Sequence, residues 1–358
     1  MDRELSTYII AEAGVNHNGS VEMAINLIDE AADAGADAIK FQTFKADKLV
    51  VPEARKADYQ EAAGVSDSQL EMLRKLELDD SAHHQLIRHC SERGIKFLST
   101  PFDIDSLHLL VDELHLKEVK ISSGEITNGP LLLETARSQV QIILSTGMST
   151  FEEIERALSV IAFGYIYPND TPTSANLKDA FLLEEGKQLL KERVILLHCT
   201  TEYPCPIDEV NLLVMDTMKE FFGLPVGYSD HTAGITVPIA AVARGARVIE
   251  KHFTLDRNLP GPDHQSSLEP DELAEMIKSI RLVERAMGSS FKKPTISELK
   301  NLGVARKSII AARDIKIGEC FDESNICVKR PGTGISPMNY WNVLGSSSTR
   351  SYKTNDLI

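Results

Sequence analysis

Val226-Gly227-Tyr228 runs into Ser229-Asp230-His231, an Ala-rich helical stretch follows from Ile235 to Arg244, and Val248-Ile249 then runs into Glu250-Lys251-His252. An apolar run of strand length ends in polar or ionisable side chains, a helix intervenes, and the pattern begins again. Working outward, Tyr8-Ile9-Ile10-Ala11 ends in Glu12, Ala38-Ile39 in Lys40, and Phe97-Leu98 in Ser99-Thr100. Val119-Lys120-Ile121 ends in Ser122-Ser123 and Glu125, Ile142-Ile143-Leu144 in Ser145-Thr146, and Val194-Ile195-Leu196-Leu197 in His198. Helical spacing appears at Val21–Ala34, Ser81–Arg93, Phe151–Phe163 and Pro270–Met287, with Gly35, Gly94 and Gly288 as stops. Eight such repeats predict a (β/α)8 TIM barrel, whose active site lies at the carboxyl ends of the strands.

The chain has 358 residues, enough for a barrel and a small second domain. Its net charge of −15 argues against non-specific nucleic-acid binding, yet leaves room for a local cationic pocket. No apolar run approaches membrane-spanning length, and the start Met1-Asp2-Arg3-Glu4 does not read as a signal peptide. Five cysteines without CxxC spacing read as free thiols in a reducing cytoplasm; Cys199, at a strand end, reads as a small core residue rather than a metal ligand. The expected layout is a catalytic barrel over 1–288, a linker over 289–304 and a small, mostly-β domain over 305–358. Strands are expected there at Ser308–Ala311, Ile315–Glu319 and Ile326–Lys329. Two segments break the repeat: Leu49 to Leu78, a long connection with a helix-like piece at Gln69–Leu76, and Tyr165 to Asn176, read as an irregular insertion. The first lies on the face where long loops cover substrates.

His231 and His252 end consecutive strands and are expected to be neighbours, a pair suited to a divalent metal such as Mn²⁺, Zn²⁺, Fe²⁺ or Co²⁺. Two structural histidines are the plainer alternative. Lys40, Lys120, Thr100, Ser123, Ser145 and Ser229 converge from five strand ends. Two cations and four hydroxyls aimed at one point suit phosphate and carboxylate groups. Glu12 and Glu125 either orient water and move protons or pair with those lysines. Leu259-Pro260-Gly261-Pro262-Asp263-His264 is a rigid loop that either aims Asp263 over the barrel mouth or forms a surface turn.

Several motifs resemble the sialic acid synthase family. They include Ala11-Glu12-Ala13-Gly14-Val15-Asn16-His17-Asn18-Gly19, Lys40-Phe41-Gln42-Thr43, Ser99-Thr100-Pro101-Phe102, Lys120-Ile121-Ser122-Ser123-Gly124-Glu125 and Ser145-Thr146-Gly147-Met148. The same holds for His198-Cys199-Thr200-Thr201-Glu202-Tyr203-Pro204, Gly227-Tyr228-Ser229-Asp230-His231-Thr232, Glu250-Lys251-His252-Phe253-Thr254 and Gly261-Pro262-Asp263-His264. Lys329-Arg330-Pro331-Gly332-Thr333-Gly334-Ile335-Ser336-Pro337 resembles that family's C-terminal antifreeze-like (SAF) domain. The likeness spans essentially the whole chain.

The resemblance implies condensation of phosphoenolpyruvate with an N-acyl hexosamine in the biosynthesis of cell-surface polysaccharides. Carried over by motif, Lys40, Thr100, Lys120, Ser123, Ser145, Thr201 and Ser229 hold phosphoenolpyruvate, and His231 and His252 hold Mn²⁺, with Mg²⁺ or Co²⁺ as alternatives. Glu12, Gln42, Tyr203 and Asp263 contact the open-chain sugar. Arg330 reaches the N-acyl group from the SAF domain of the other subunit of a homodimer. Thr200-Thr201 stand where the family often carries Asn. The sugar is N-acetylmannosamine, giving N-acetylneuraminate, or 2,4-diacetamido-2,4,6-trideoxymannose, giving N,N'-diacetyllegionaminate. The segments Tyr59-Gln60 and Gln69-Leu70-Glu71 resemble bacterial members of both groups. A metal-dependent barrel aldolase competes but would not need so many phosphate-directed donors. Carbohydrate or ice binding by the C-terminal region lacks a long flat Thr array.

Overall fold

The computed structural model describes residues 6–54 and 68–358; Met1-Asp2-Arg3-Glu4 and Tyr59-Gln60 lie outside the described residues. Eight strands form one parallel sheet in the order β3-β2-β1-β8-β7-β6-β5-β4. They are β1 (Tyr8–Gly14), β2 (Ala38–Thr43), β3 (Lys96–Pro101), β4 (Glu118–Ile121), β5 (Gln141–Ser145), β6 (Val194–His198), β7 (Val226–Asp230) and β8 (Val248–His252). β3 and β4 lie against each other across the remaining seam, so the sheet is a barrel. The helices end where local chemistry dictates. Ser20 Oγ accepts the Met23 N–H at the start of the helix Val21–Ala34, and Gly35, at φ 85°, closes it with a left-handed turn no β-carbon strains.

Two apolar groups build the barrel itself. The larger packs the outward strand faces against the helices, with Ile9, Ala11 and Ile39 meeting Ala24, Leu27 and Ile28. The smaller lies inside the barrel and comprises Ile10, Ala38, Leu98, Ile143, Leu197 and Val248. That plug fixes everything above it, because strand side chains repeat direction every second residue.

The chain divides into two compact units, Met1–Gly288 and Ser289–Ile358. The second holds an antiparallel pair, β9 (Ser308–Ala311) and β10 (Ile326–Lys329), around Ile309, Ala311, Ile315, Phe321 and Ile326. Ile315 makes only an isolated bridge to Tyr352, so the strand expected at Ile315–Glu319 is absent from the described residues. The expected linker over 289–304 contains a helix, Ile296–Ala305, started by a Thr295/Glu298 capping box. Helices also intrude at both ends of the expected insertion from Tyr165 to Asn176: Phe151–Ile166 runs into it and Ser174–Leu182 begins within it. A second capping arrangement, Thr173 with Asn176, explains the second intrusion, since turn-forming residues there serve as a helix start. All five cysteines carry free thiols.

Candidate active site

Two residues beyond the plug, β1, β2, β3, β5 and β8 present Glu12, Lys40, Thr100, Ser145 and Glu250, all buried. Lys120 of β4 and Ser229 of β7 join them at Glu250. Together with Gln42, Ser123, Thr201, Tyr203, His231 and His252, they line one cavity of about 320 Å³ at the carboxyl ends of the strands.

Glu250 is the hub. Its Oε2 accepts from Lys40 Nζ at 2.7 Å, and its Oε1 accepts from Ser229 Oγ at 2.8 Å and lies 3.1 Å from Lys120 Nζ. Glu12 Oε2 lies 3.0 Å from Lys40 Nζ on the other side. Burial opposes ionisation of Glu250, but Lys120 and Lys40 outweigh it and hold its carboxyl well below the usual range. Burial also opposes the charge on Lys40, which Glu12 and Glu250 nevertheless hold above its ordinary value. The other two groups are less committed to charge: burial raises Glu12 to about 7 against the pull of Lys40, and lowers Lys120 in spite of Glu250. Sequence reasoning missed this role for Glu250. The signal was present, since alternation along β8 turns Glu250 and His252 inward and sends Lys251 outward, where it pairs with Asp230 at 2.6 Å.

Beside this cluster, hydroxyls await acceptors or donors. Thr100 Oγ1, Ser122 Oγ, Ser145 Oγ and Thr201 Oγ1 are buried with no protein partner. Such groups cost stability unless a ligand or water pairs them. Ser123 Oγ accepts the Gly147 N–H at 2.9 Å and touches Cys199 Sγ at 3.2 Å. A β-carbon on Gly147 would fall 2.8 Å from Ser123 Oγ and closer still to Thr201 Oγ1, so the cradle needs glycine there. Of the two threonines in the altered strand-six motif, Thr201 faces the cavity, while Thr200 bonds the Glu209 carbonyl at 3.1 Å.

His231 and His252 meet with ring centroids 5.8 Å apart, and Tyr203 lies 4.2 Å from the first and 5.7 Å from the second. His231 Nδ1 sits 2.6 Å from the Thr200 carbonyl, which assigns the proton to Nδ1 and leaves a lone pair on Nε2, 3.5 Å from Ser229 Oγ. His252 Nδ1 is buried with no protein partner. Burial pushes His231 down to about 4 and His252 well below its ordinary value, so both rings are neutral at neutral pH. Two neutral imidazoles, one with its outer nitrogen already engaged, fit a divalent cation. Among the described residues no group of three or more His, Cys, Asp or Glu could hold a metal, so oxygens from water or substrate would complete such a site.

The remaining expected residues divide. Gly14, at φ 54°, has no side chain, and a β-carbon there would lie 3.2 Å from Glu12 Oε1 and 3.5 Å from both Gln42 Nε2 and Asp263 Oδ2. Asp263 therefore converges with Glu12 and Gln42, and burial raises its carboxyl to about 6. Glu125 does not join the cavity lining: it ends a single 3-10 turn, Ser123–Glu125, and accepts from Asn128 Nδ2 at 2.6 Å. Arg330, in the second unit, is exposed and donates from Nε to the Ala305 carbonyl at 3.0 Å. Leu49, Val50, Gln69 and Leu73, from the connection after β2, also line the cavity.

Comparison with known proteins agrees with this geometry. Residues 27–292 match the NeuB family and residues 306–358 match the SAF domain. The chain is 51% identical over 353 residues to the N,N'-diacetyllegionaminic acid synthase of Campylobacter jejuni, covering 98% of each protein. It is 31% identical to the human N-acetylneuraminate-9-phosphate synthase, over 98% of this chain and 91% of that protein. The crystal structure of the N-acetylneuraminic acid (sialic acid) synthetase of Leptospira borgpetersenii, in complex with citrate, superposes with a TM-score of 0.67 at 34% identity, covering 83% of this chain and 90% of that one. The barrel, the position of the charged cavity and these likenesses together assign the chain to the NeuB family, with a SAF domain following the barrel.

Proposed function

We propose that this protein condenses phosphoenolpyruvate with an open-chain N-acyl hexosamine to form a nine-carbon 2-keto acid, releasing phosphate by C–O cleavage. The observation that carries the reading is the meeting, in one cavity, of Lys40, Lys120 and the unpartnered hydroxyls with two neutral imidazoles. The lysines, with Thr100, Ser123, Ser145, Thr201 and Ser229, bind the phosphate and carboxylate of phosphoenolpyruvate as point charges and donors. Glu12, Gln42, Tyr203 and Asp263 bind the sugar chain.

His231 and His252 would hold a divalent ion, Mn²⁺ first and Mg²⁺ or Co²⁺ next. Such an ion supplies Lewis acidity to the sugar aldehyde when bound. The lysines hold the enol phosphate as its C3 bonds to the aldehyde carbon. Glu12, which titrates near neutrality, gives a proton to the former aldehyde oxygen. Water then adds at C2, returning one proton to Glu12, and the resulting tetrahedral centre expels phosphate toward the lysines, its hydroxyl proton leaving with the phosphate as the ketone forms. Arg330 of a second subunit meets the N-acyl group, so the working unit is a homodimer, placed in the cytoplasm.

The 51% identity to a diacetyllegionaminic acid synthase favours 2,4-diacetamido-2,4,6-trideoxymannose as the sugar, ahead of N-acetylmannosamine. Offering several hexosamines with phosphoenolpyruvate, then measuring phosphate and product mass, tests the proposal. The expected product has the mass of N,N'-diacetyllegionaminate; no phosphate release with any hexosamine refutes the reaction.

A further inference from the structure

The cavity has two chemically different parts. Around Glu250 it is charged and hydroxylated, but Leu49, Val50 and Leu73 line it with hydrocarbon, flanked by Phe102. This wall has its own packing support. Leu49, Leu73 and Phe102 rest on a separate apolar cluster of Val15, Phe44, Met72 and Leu76, and the Phe102 ring meets Phe44 edge-on at 6.2 Å. Leu73 rides on the helix Gln69–Leu76, whose start is fixed by a Ser68/Glu71 capping box, and Arg74 of that helix pairs with Asp47 of the helix Ala46–Leu49. All four wall residues remain half-buried, so part of each faces the cavity. Hydrocarbon held rigidly at the edge of a polar cavity gains only from a ligand that brings hydrocarbon to it.

Resting on the synthase reading above, the geometry points to Leu49, Val50 and Leu73 as the residues that select a deoxygenated hexose. The aldehyde end must sit at the imidazoles and lysines, so the far end of the extended sugar lies along the wall. We infer that a methyl group at C6 and the methyl of a C4 acylamino group bury there. The C6 hydroxymethyl of N-acetylmannosamine would lose water and find no partner. Apolar pockets discriminate such changes by about 10- to 100-fold.

The test compares kcat/KM for 2,4-diacetamido-2,4,6-trideoxymannose and for N-acetylmannosamine, at saturating phosphoenolpyruvate, in the full chain. The wild type is expected to prefer the trideoxy sugar at least about tenfold. Leu73→Asn and Val50→Asn should each cut that ratio about tenfold, mainly through the KM for the trideoxy sugar, with the KM for phosphoenolpyruvate unchanged. Leu73→Met should retain the preference. Val50 lies outside the apolar cluster, so Val50→Asn carries the test if Leu73→Asn fails to fold. A ratio unchanged in folded Asn variants that still release phosphate overturns the wall but leaves the synthase reading intact. A wild-type preference for N-acetylmannosamine does the same. Absence of phosphate release from every sugar overturns both.

Discussion

Glu250→Gln tests whether the charge cluster is organised as its distances imply. Both carboxylate oxygens are committed, one to Lys40 at 2.7 Å and one to Lys120 at 3.1 Å and Ser229 at 2.8 Å. Glutamine keeps the shape but offers one oxygen, and its amide NH₂ must face one of the two ammonium groups. The site then holds two buried lysines against Glu12 alone, and breaking a buried ion pair by removing one partner costs about 3–5 kcal/mol. For a unit of this size that lowers Tm by roughly 5–8 °C. The excess positive charge should be relieved by an anion, so phosphoenolpyruvate should raise the Tm of the variant more than that of the wild type. Thermal unfolding followed by circular dichroism, with and without phosphoenolpyruvate, measures both effects. A variant melting within about 2 °C of the wild type, with the same ligand-induced shift, would refute the reasoning.

Metal, pH and subunit arrangement each give a further expected outcome. His231→Ala or His252→Ala should abolish Mn²⁺ binding by calorimetry together with metal-dependent turnover; full activity of either in metal-free buffer contradicts the site. Asp263 is raised to about 6 by burial, so its carboxyl takes up a proton as pH falls through that value. A carboxylate that accepts sugar hydroxyls is then lost, and the KM for the sugar should climb about tenfold per pH unit below the transition. In Asp263→Asn the KM should start high and stay flat relative to the wild type, and parallel profiles would exclude the role. Arg330→Ala should raise the sugar KM and leave the barrel folded. Mixing Arg330→Ala with His252→Ala subunits should restore part of the activity, and no recovery counts against the shared site.

Sequence legibility in this chain follows from how each feature is encoded. The barrel was readable because each strand writes its own ending: an apolar plug residue such as Ile10, Ala38 or Val248 is followed two positions later by Glu12, Lys40 or Glu250. One local rule, repeated on successive strands, gives both the fold and the charged ring. Features without that encoding escaped. The helix Ile296–Ala305 hid behind a Lys- and Pro-containing approach, although its Thr295/Glu298 start was present. Glu125 stands two residues from Ser123, yet the 3-10 turn between them turns it toward Asn128 and away from the cavity.

The wall residues Leu49, Val50 and Leu73 escaped for a different reason. In one dimension an apolar residue that faces a ligand is indistinguishable from one that faces the core, and Leu73 does both. Charged and hydroxylated side chains reveal themselves because burying them demands a partner. Hydrocarbon that reads a substrate makes no such demand. The residues that set which anion-bearing partner binds are therefore written at the strand ends, where chemistry is conspicuous. Those that choose among sugars sit in the connection after β2, where only the three-dimensional lining separates a specificity surface from an ordinary small core.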